Sequence, residues 1–208
     1  MRVTMGALKG GVAKTTTSIH VAIGLSRLDG GRVLLVDADP QAASTLDWST
    51  VAGENWPASV TVIPWHGPDL ARRVAGVVDD YDHLVIDTGG ENDVILGQAL
   101  TVTDELVIPI SPSLLELRRL PSTIELASRV DVVSPLTYRV LLCKVRTGTR
   151  SAADARALLT DLDVPCMDAE VHLREAYISA FGSVPANLGD YEAVLTELLE
   201  DEDVGVTS

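Results

Sequence analysis

Lys9-Gly10-Gly11-Val12-Ala13-Lys14-Thr15-Thr16 follows a short apolar run, residues 2–8, and opens a helix-like stretch, residues 15–28. A glycine-rich turn between a strand and a helix is the setting a phosphate-binding loop requires. Two glycines let backbone N–H groups approach phosphate oxygens closely, and the helix N-terminus adds partial positive charge. In that setting Lys14 is expected to reach β- and γ-phosphates and the Thr15 hydroxyl to ligate Mg²⁺. The ordinary GxxxxGK[ST] pattern is not matched, because Leu8 stands where its first glycine belongs and Ala13 precedes Lys14. The stretch reads KGGxxKTT instead, with an additional lysine near its start. The chain holds only Lys9, Lys14 and Lys144. Two of them in one loop do not read as scattered surface charge, which is what a merely solvated glycine-rich turn would have.

Outward from the loop, short apolar runs alternate with helical stretches. Residues 32–37 (RVLLVD) are nearly continuous in apolar character, the pattern of a parallel strand buried on both faces. Further strands are expected at residues 60–64, 83–87, 105–110, 138–144 and 164–167. Helices are expected at 69–78, 92–100, 122–129, 151–162, 173–181 and 191–200. This alternation predicts an α/β, P-loop NTPase-like fold, with a mostly parallel central sheet and helices on both faces. Asp29-Gly30-Gly31 reads as a turn. Residues 49–59 are linker-like but too short to divide domains. The 208 residues suit one domain, 1–208, with an acidic tail fraying from about 201.

Asp37 and Asp39 flank one residue at the end of the 32–37 strand. Ligands of open α/β sheets lie at strand C-termini, and alternate strand residues point the same way, so both carboxylates are expected to face the phosphates. The competing reading makes Asp39 a helix N-cap with Pro40 at the first helical position.

The 9–16 loop resembles the deviant Walker A loop of the ParA/MinD family of ATPases. Val36-Asp37-Ala38-Asp39-Pro40-Gln41 resembles that family's switch I motif, hhDxDPQ. Leu84-Val85-Ile86-Asp87-Thr88 resembles its Walker B, and Val107-Ile108-Pro109-Ile110-Ser111-Pro112-Ser113 its following strand and loop. The resemblance spans residue 1 to about 182 and is nearest to small plasmid-type ParA partition proteins. It implies a slow, partner-stimulated ATPase that dimerises on ATP and partitions or positions plasmid or chromosomal DNA. By resemblance, Lys9, Lys14 and Asp39 are catalytic, with Asp39 positioning the attacking water and Lys9 crossing a dimer interface to the partner's nucleotide. ATP or ADP is held by Lys9, Gly10, Gly11, Val12, Ala13, Lys14, Thr15 and Thr16, with Asp37 and Asp87. Mg²⁺ is held by Thr15, Asp37 and Asp87, the aspartates through water. The implied partners are a second copy of the chain, a centromere-binding protein of the ParB or ParG type, and DNA bound without sequence choice. Two features depart from the family pattern. Thr88-Gly89-Gly90 replaces D-x-P-P after Walker B, which bears on the rate of hydrolysis. Lys144 stands where a small polar residue is expected near the base.

Charge and cysteine content narrow the partners. The net charge is −14, so an overall acidic surface repels DNA and anionic membranes at long range, and DNA contact must come from a local basic patch. Residues 139–156 carry Arg139, Lys144, Arg146, Arg150 and Arg156 against Asp154 alone. Arg146 and Arg150 are the candidate phosphate contacts, with Arg118 and Arg119 a second pair; solvated arginines, some pairing with the acidic tail, are the alternative. A MinD-like membrane switch needs a basic amphipathic C-terminal helix, whereas residues 191–203 are acidic. No apolar run reaches about 18 residues and no signal-like segment opens the chain, so a cytoplasmic protein, on the nucleoid when ATP-bound, is expected. Cys143 and Cys166 form no CxxC, which disfavours a disulfide framework, a zinc site or an iron–sulfur carrier. No N/TKxD motif offers a guanine-reading carboxylate. A metabolic P-loop amidoligase remains the enzymatic alternative.

Overall fold

A computed structural model of the chain describes residues 1–28, 30–41 and 44–205, with side chains described as far as Glu200. Asp29 of the expected turn, and the end of the expected fraying tail, lie outside the described residues. The elements run β1 (Arg2–Met5), α1 (Lys14–Leu28), β2 (Val33–Ala38), α2 (Ser44–Ala52), β3 (Val60–Pro64), α3 (Leu70–Ala75), β4 (His83–Thr88), α4 (Asp93–Leu100), β5 (Glu105–Ile110), α5 (Leu114–Leu117), α6 (Leu120–Asp131), β6 (Thr137–Val145), α7 (Ser151–Asp161), β7 (Cys166–His172), α8 (Glu175–Ile178) and α9 (Tyr191–Gly205). The seven strands pair in the order β3-β2-β4-β1-β5-β6-β7, and every pairing is parallel.

Strand residues alternate between two apolar layers. Leu35, Val85, Val107 and Leu141 pack with Ile19, Ile23 and Leu25 of α1 and with Tyr191, Val194 and Leu198 of α9. Toward the other face, Leu106, Ile108, Val140 and Leu142 meet α4, α6 and α7, and Leu34, Val36, Leu84 and Ile86 meet α3 and α4. Both faces of β2 are therefore covered and all six of its residues are buried, as its unbroken apolar run requires. Helix α6 is amphipathic: Leu120, Thr123, Leu126, Ala127 and Val130 are buried at helical spacing. Asn92 caps α4 by accepting the Ile95 N–H at 3.0 Å.

Three local expectations are corrected. The linker-like stretch at residues 49–59 overlaps helix α2, whose Trp48 is buried and donates its indole N–H to the Ser183 carbonyl at 2.7 Å. Tertiary packing overrides the weak propensity of Ser, Thr and Asp there. The strand expected at 164–167 extends to His172, and its inward residues Met167, Ala169 and Val171 alternate with outward polar ones, as an edge strand with one covered face does. The helix expected at 173–181 is the single turn α8. Among the described residues no helix is long and apolar enough to cross a membrane.

Candidate active site

The carboxyl ends of the central strands meet at one level: Asp37 lies beside Asp87 across β2 and β4, and Met5 beside Asp87 across β1 and β4. The 9–16 loop crosses just beyond these ends. Gly11 (φ 77°) and Ala13 (φ 75°) both adopt left-handed backbone. Ala13 does so where the ordinary motif has glycine, a strain of roughly 1–2 kcal/mol that α1 and the strand ends hold in place. Leu8 is tied to α6 through its N–H, 3.2 Å from Thr123 Oγ1.

A cleft of about 550 Å³ opens over the loop, lined by Gly10, Gly11, Lys14, Thr15, Asp39, Lys144, Tyr177 and Tyr191 among others. Lys14 is buried in its floor and donates to the Lys9 carbonyl at 2.5 Å. Burial lowers its amine pKa, and the charges of Asp87 and Asp39 oppose that shift. Asp87 is fully buried beneath it. Ser18 and Thr45 hydroxyls donate to its two oxygens at 3.1 and 2.6 Å, and the nearby Thr15 hydroxyl also favours the charged form. Burial nevertheless pushes the Asp87 carboxyl up to about 6, because removing a charge from water outweighs the hydroxyls that favour it; the charge of Asp37 adds to the rise.

Asp37 and Asp39 take different settings. Asp37 is buried, and its oxygens accept the backbone N–H groups of Asp39 at 3.2 Å and Leu46 at 2.9 Å. It thereby fixes the path of the chain from β2 to α2. Burial raises its pKa against those bonds. Asp39 stands beyond the strand end and lines the cleft. β2 ends at Ala38, between the two carboxylates. The Asp39 Oδ1 accepts the Gln41 N–H at 2.9 Å in a turn; residues 42 and 43, through which a helix capped by Asp39 would run, lie outside the described residues.

The Gly89-Gly90 departure from the family pattern has a steric cause. A Cβ on Gly90 would lie 2.5 Å from Gly10 N and 2.6 Å from the Lys9 carbonyl carbon. One on Gly89 would lie 2.8 Å from Asp39 Oδ1. The turn after β4 thus rests directly on the phosphate loop and on Asp39. Lys144 (φ 57°) reaches back to donate to the Gly11 carbonyl at 2.5 Å, so this second departure braces the loop. Tyr191, which lines the cleft, stacks on His20 with ring centroids 4.4 Å apart. Tyr177 meets His20 edge-on at 5.4 Å.

Lys9 does not line this cleft. Its ammonium pairs with Glu116 of α5 on the other side of the loop. Of the five basic residues in 139–156, three are engaged by other groups of the chain. Arg139 pairs with Glu105 and with Glu197 of α9, Arg156 with Glu170, and Lys144 with the loop. Arg146 and Arg150 remain exposed between β6 and α7, with no ion pair among the described residues. Sequence reasoning missed Thr45 and Glu116. Thr45 lies in the helix hidden by its polar composition, and Glu116 is one acid among 30 with no motif around it.

A parallel sheet carrying a lysine-bearing phosphate loop at its carboxyl edge, with acidic residues from the neighbouring strands, defines a P-loop nucleotide-binding protein. Residues 2–63 match the AAA domain family model and residues 65–162 the ATPase MipZ family model. The maintenance of carboxysome distribution protein A of Halothiobacillus neapolitanus is 32% identical over 179 residues, covering 83% of this chain and 80% of that protein. The chain belongs to the ParA/MinD family of deviant Walker A ATPases. Two solved structures share its fold. A plasmid partition protein of Borrelia burgdorferi bound to AMPPNP superposes with TM-score 0.76 at 20% identity, over 96% of this chain and 98% of its own. A cobyrinic acid a,c-diamide synthase of Mycobacterium smegmatis bound to ADP and magnesium gives 0.75 at 21%, over 98% and 96%.

Proposed function

We propose that the chain is an ATP-driven dimerisation switch that positions a cargo by binding DNA without sequence choice in its ATP state. The observation that carries this reading is the separation of its two loop lysines. Lys14 is buried in the cleft under the phosphate position, whereas Lys9 projects on the far side of the loop, away from its own nucleotide. In this reading Lys14 and the N–H groups of residues 10–16 bind the phosphates of ATP or ADP. The Thr15 hydroxyl holds Mg²⁺, with Asp87 and Asp37 behind it through water. The donor set suits Mg²⁺: hard oxygens from one hydroxyl and from carboxylates. When bound, Mg²⁺ neutralises charge on the phosphates. Asp39, at the cleft wall beside Gly89, orients the attacking water, and Lys9 contacts the nucleotide of a second copy.

Arg146 and Arg150 then contact DNA phosphates, at the nucleoid in a cytoplasmic protein. The cargo is recruited by a separate adaptor. A ParB- or ParG-type centromere-binding protein fits a plasmid or chromosomal cargo, and the name of the carboxysome-distribution relative supports a protein body as cargo equally well. Gel shifts test the reading. DNA should be retarded with ATP and not with ADP, with log affinity falling linearly in log salt. Arg146→Ala with Arg150→Ala should flatten that slope by about 0.9 for each phosphate contact removed. DNA binding that ignores the nucleotide, or none at low salt, overturns it. The likeness to a named diamide synthase favours one second reading, a metabolic amidoligase. That reading predicts ATP turnover coupled to amide formation, with neither DNA binding nor a nucleotide-dependent dimer.

A further inference from the structure

We propose that Glu116 is an intrachain counter-ion for Lys9, a positioning residue that holds the lysine on its own subunit until a partner's nucleotide displaces it. It thereby sets the protein concentration at which ATP drives dimerisation. This rests on the reading of Lys9 as acting on the nucleotide of a second copy.

The two side chains are unequally free. Glu116 is buried, 9% exposed at the side chain against 26% for Lys9. Ser113 caps α5, its backbone carbonyl and its hydroxyl both accepting the Glu116 N–H, and the buried Leu117 roots the same turn. The carboxylate is therefore fixed, while the lysine hangs on a flexible four-carbon stem from a loop. Arg119 lines the same small cavity as the pair. The same short helix exposes Leu114 and Leu115, so the pair borders an apolar surface. An ammonium that bridges to a partner's triphosphate must give up most of its bond to Glu116, and a buried carboxylate losing its cation is penalised. Glu116 and the partner's phosphates thus compete for one charge. A neutral side chain at 116 removes the competitor without touching the nucleotide cleft, which neither Lys9 nor Glu116 lines.

The test is a dilution series followed by light scattering, with saturating Mg²⁺ and the non-hydrolysable analogue AMPPNP, and ADP as control. Glu116→Gln should dimerise at roughly tenfold lower concentration than wild type. Glu116→Met, neutral and of similar length, should show the same gain should the glutamine variant fold poorly. Nucleotide affinity of the monomer should stay within about twofold of wild type. In the Lys9→Ala background the gain should vanish, because the competition no longer exists. A dimerisation midpoint for the neutral variants equal to or above that of wild type overturns the proposal, as does a gain that persists without Lys9. Should Lys9→Ala alone dimerise like wild type, the trans reading of Lys9 fails first, and that outcome is distinct from failure of the latch.

Discussion

Gly90→Ala isolates the contact between the turn after β4 and the phosphate loop. The added Cβ would sit 2.5 Å from Gly10 N, 2.6 Å from the Lys9 carbonyl carbon and 3.0 Å from Gly10 Cα, against about 3.4 Å for an ordinary contact. Relief therefore needs a shift of about 0.9 Å, the difference between 3.4 and 2.5. All three opposing atoms are backbone, so no rotamer change absorbs it, and the loop that presents N–H groups to the phosphates must move. A misplacement of about 1 Å at a reacting centre costs on the order of 10²-fold in rate, or roughly 2.7 kcal/mol of transition-state stabilisation. Gly90 does not have a positive φ, so alanine is permitted by the backbone itself and the fold should survive. Calorimetric ATP affinity and steady-state phosphate release measure the two consequences, with far-UV circular dichroism checking the fold. Gly89→Ala serves as the graded control. The three atoms nearest its Cβ all belong to the Asp39 carboxylate, the closest at 2.8 Å, a side chain that can swing aside, so nucleotide affinity should hold while turnover falls. If Gly90→Ala binds and hydrolyses ATP within about twofold of wild type, the loop is not braced by that turn and the steric account of the Gly-Gly pair is wrong.

Lys14→Ala should weaken ATP and ADP binding roughly ten- to a hundredfold, the loss of about 1.5–3 kcal/mol expected for a charged hydrogen bond; unchanged calorimetric affinity would remove Lys14 from the phosphate site. Asp39→Ala should bind ATP normally and release phosphate roughly 10²-fold more slowly, and wild-type turnover in that variant would remove Asp39 from the reaction. The pH dependence of stability should carry a signature of His20. Burial lowers its pKa to about 4, below the roughly 6.5 of an unfolded histidine. The unfolded state therefore binds the proton more readily between those values, and the contribution of the neutral imidazole is whole above about pH 6.5 and lost as pH falls toward 4. About 2 kcal/mol should disappear between pH 8 and pH 5. Asp87 acts in the opposite sense, its raised pKa near 6 adding stability as pH falls through that value. The comparison is therefore the difference in urea stability between wild type and His20→Gln, and a difference that stays flat with pH would show that His20 titrates normally.

Much of the fold was legible because its signals are local. β2 read as a strand from its nearly unbroken apolar run, and the alternation of short apolar runs with helical stretches marked the order of the α/β fold. The 9–16 loop announced itself through two lysines in a lysine-poor chain. What could not be read depends on contacts distant in sequence. Trp48 turns a polar stretch into α2 by packing against the segment around Ser183, and with α2 comes Thr45, 42 positions from the Asp87 carboxylate it bonds. Glu116 reaches Lys9 across 107 positions. Strand alternation could not show that β2 ends between Asp37 and Asp39, or that Asp37 uses its oxygens to hold the departing chain. The basic segment was over-read for a similar reason. Charge counting cannot see that Arg139 and Arg156 are committed to Glu105, Glu197 and Glu170.

The most direct test of the switch is the solution mass of the wild-type chain with Mg²⁺ and AMPPNP, with Mg²⁺ and ADP, and of Lys9→Ala with Mg²⁺ and AMPPNP, by light scattering at one protein concentration. The account predicts a doubled mass for wild type with AMPPNP, a monomer with ADP, and a monomer for Lys9→Ala that still binds AMPPNP by calorimetry. A wild-type chain that stays monomeric with AMPPNP at that concentration, or a Lys9→Ala chain that doubles its mass as wild type does, contradicts it.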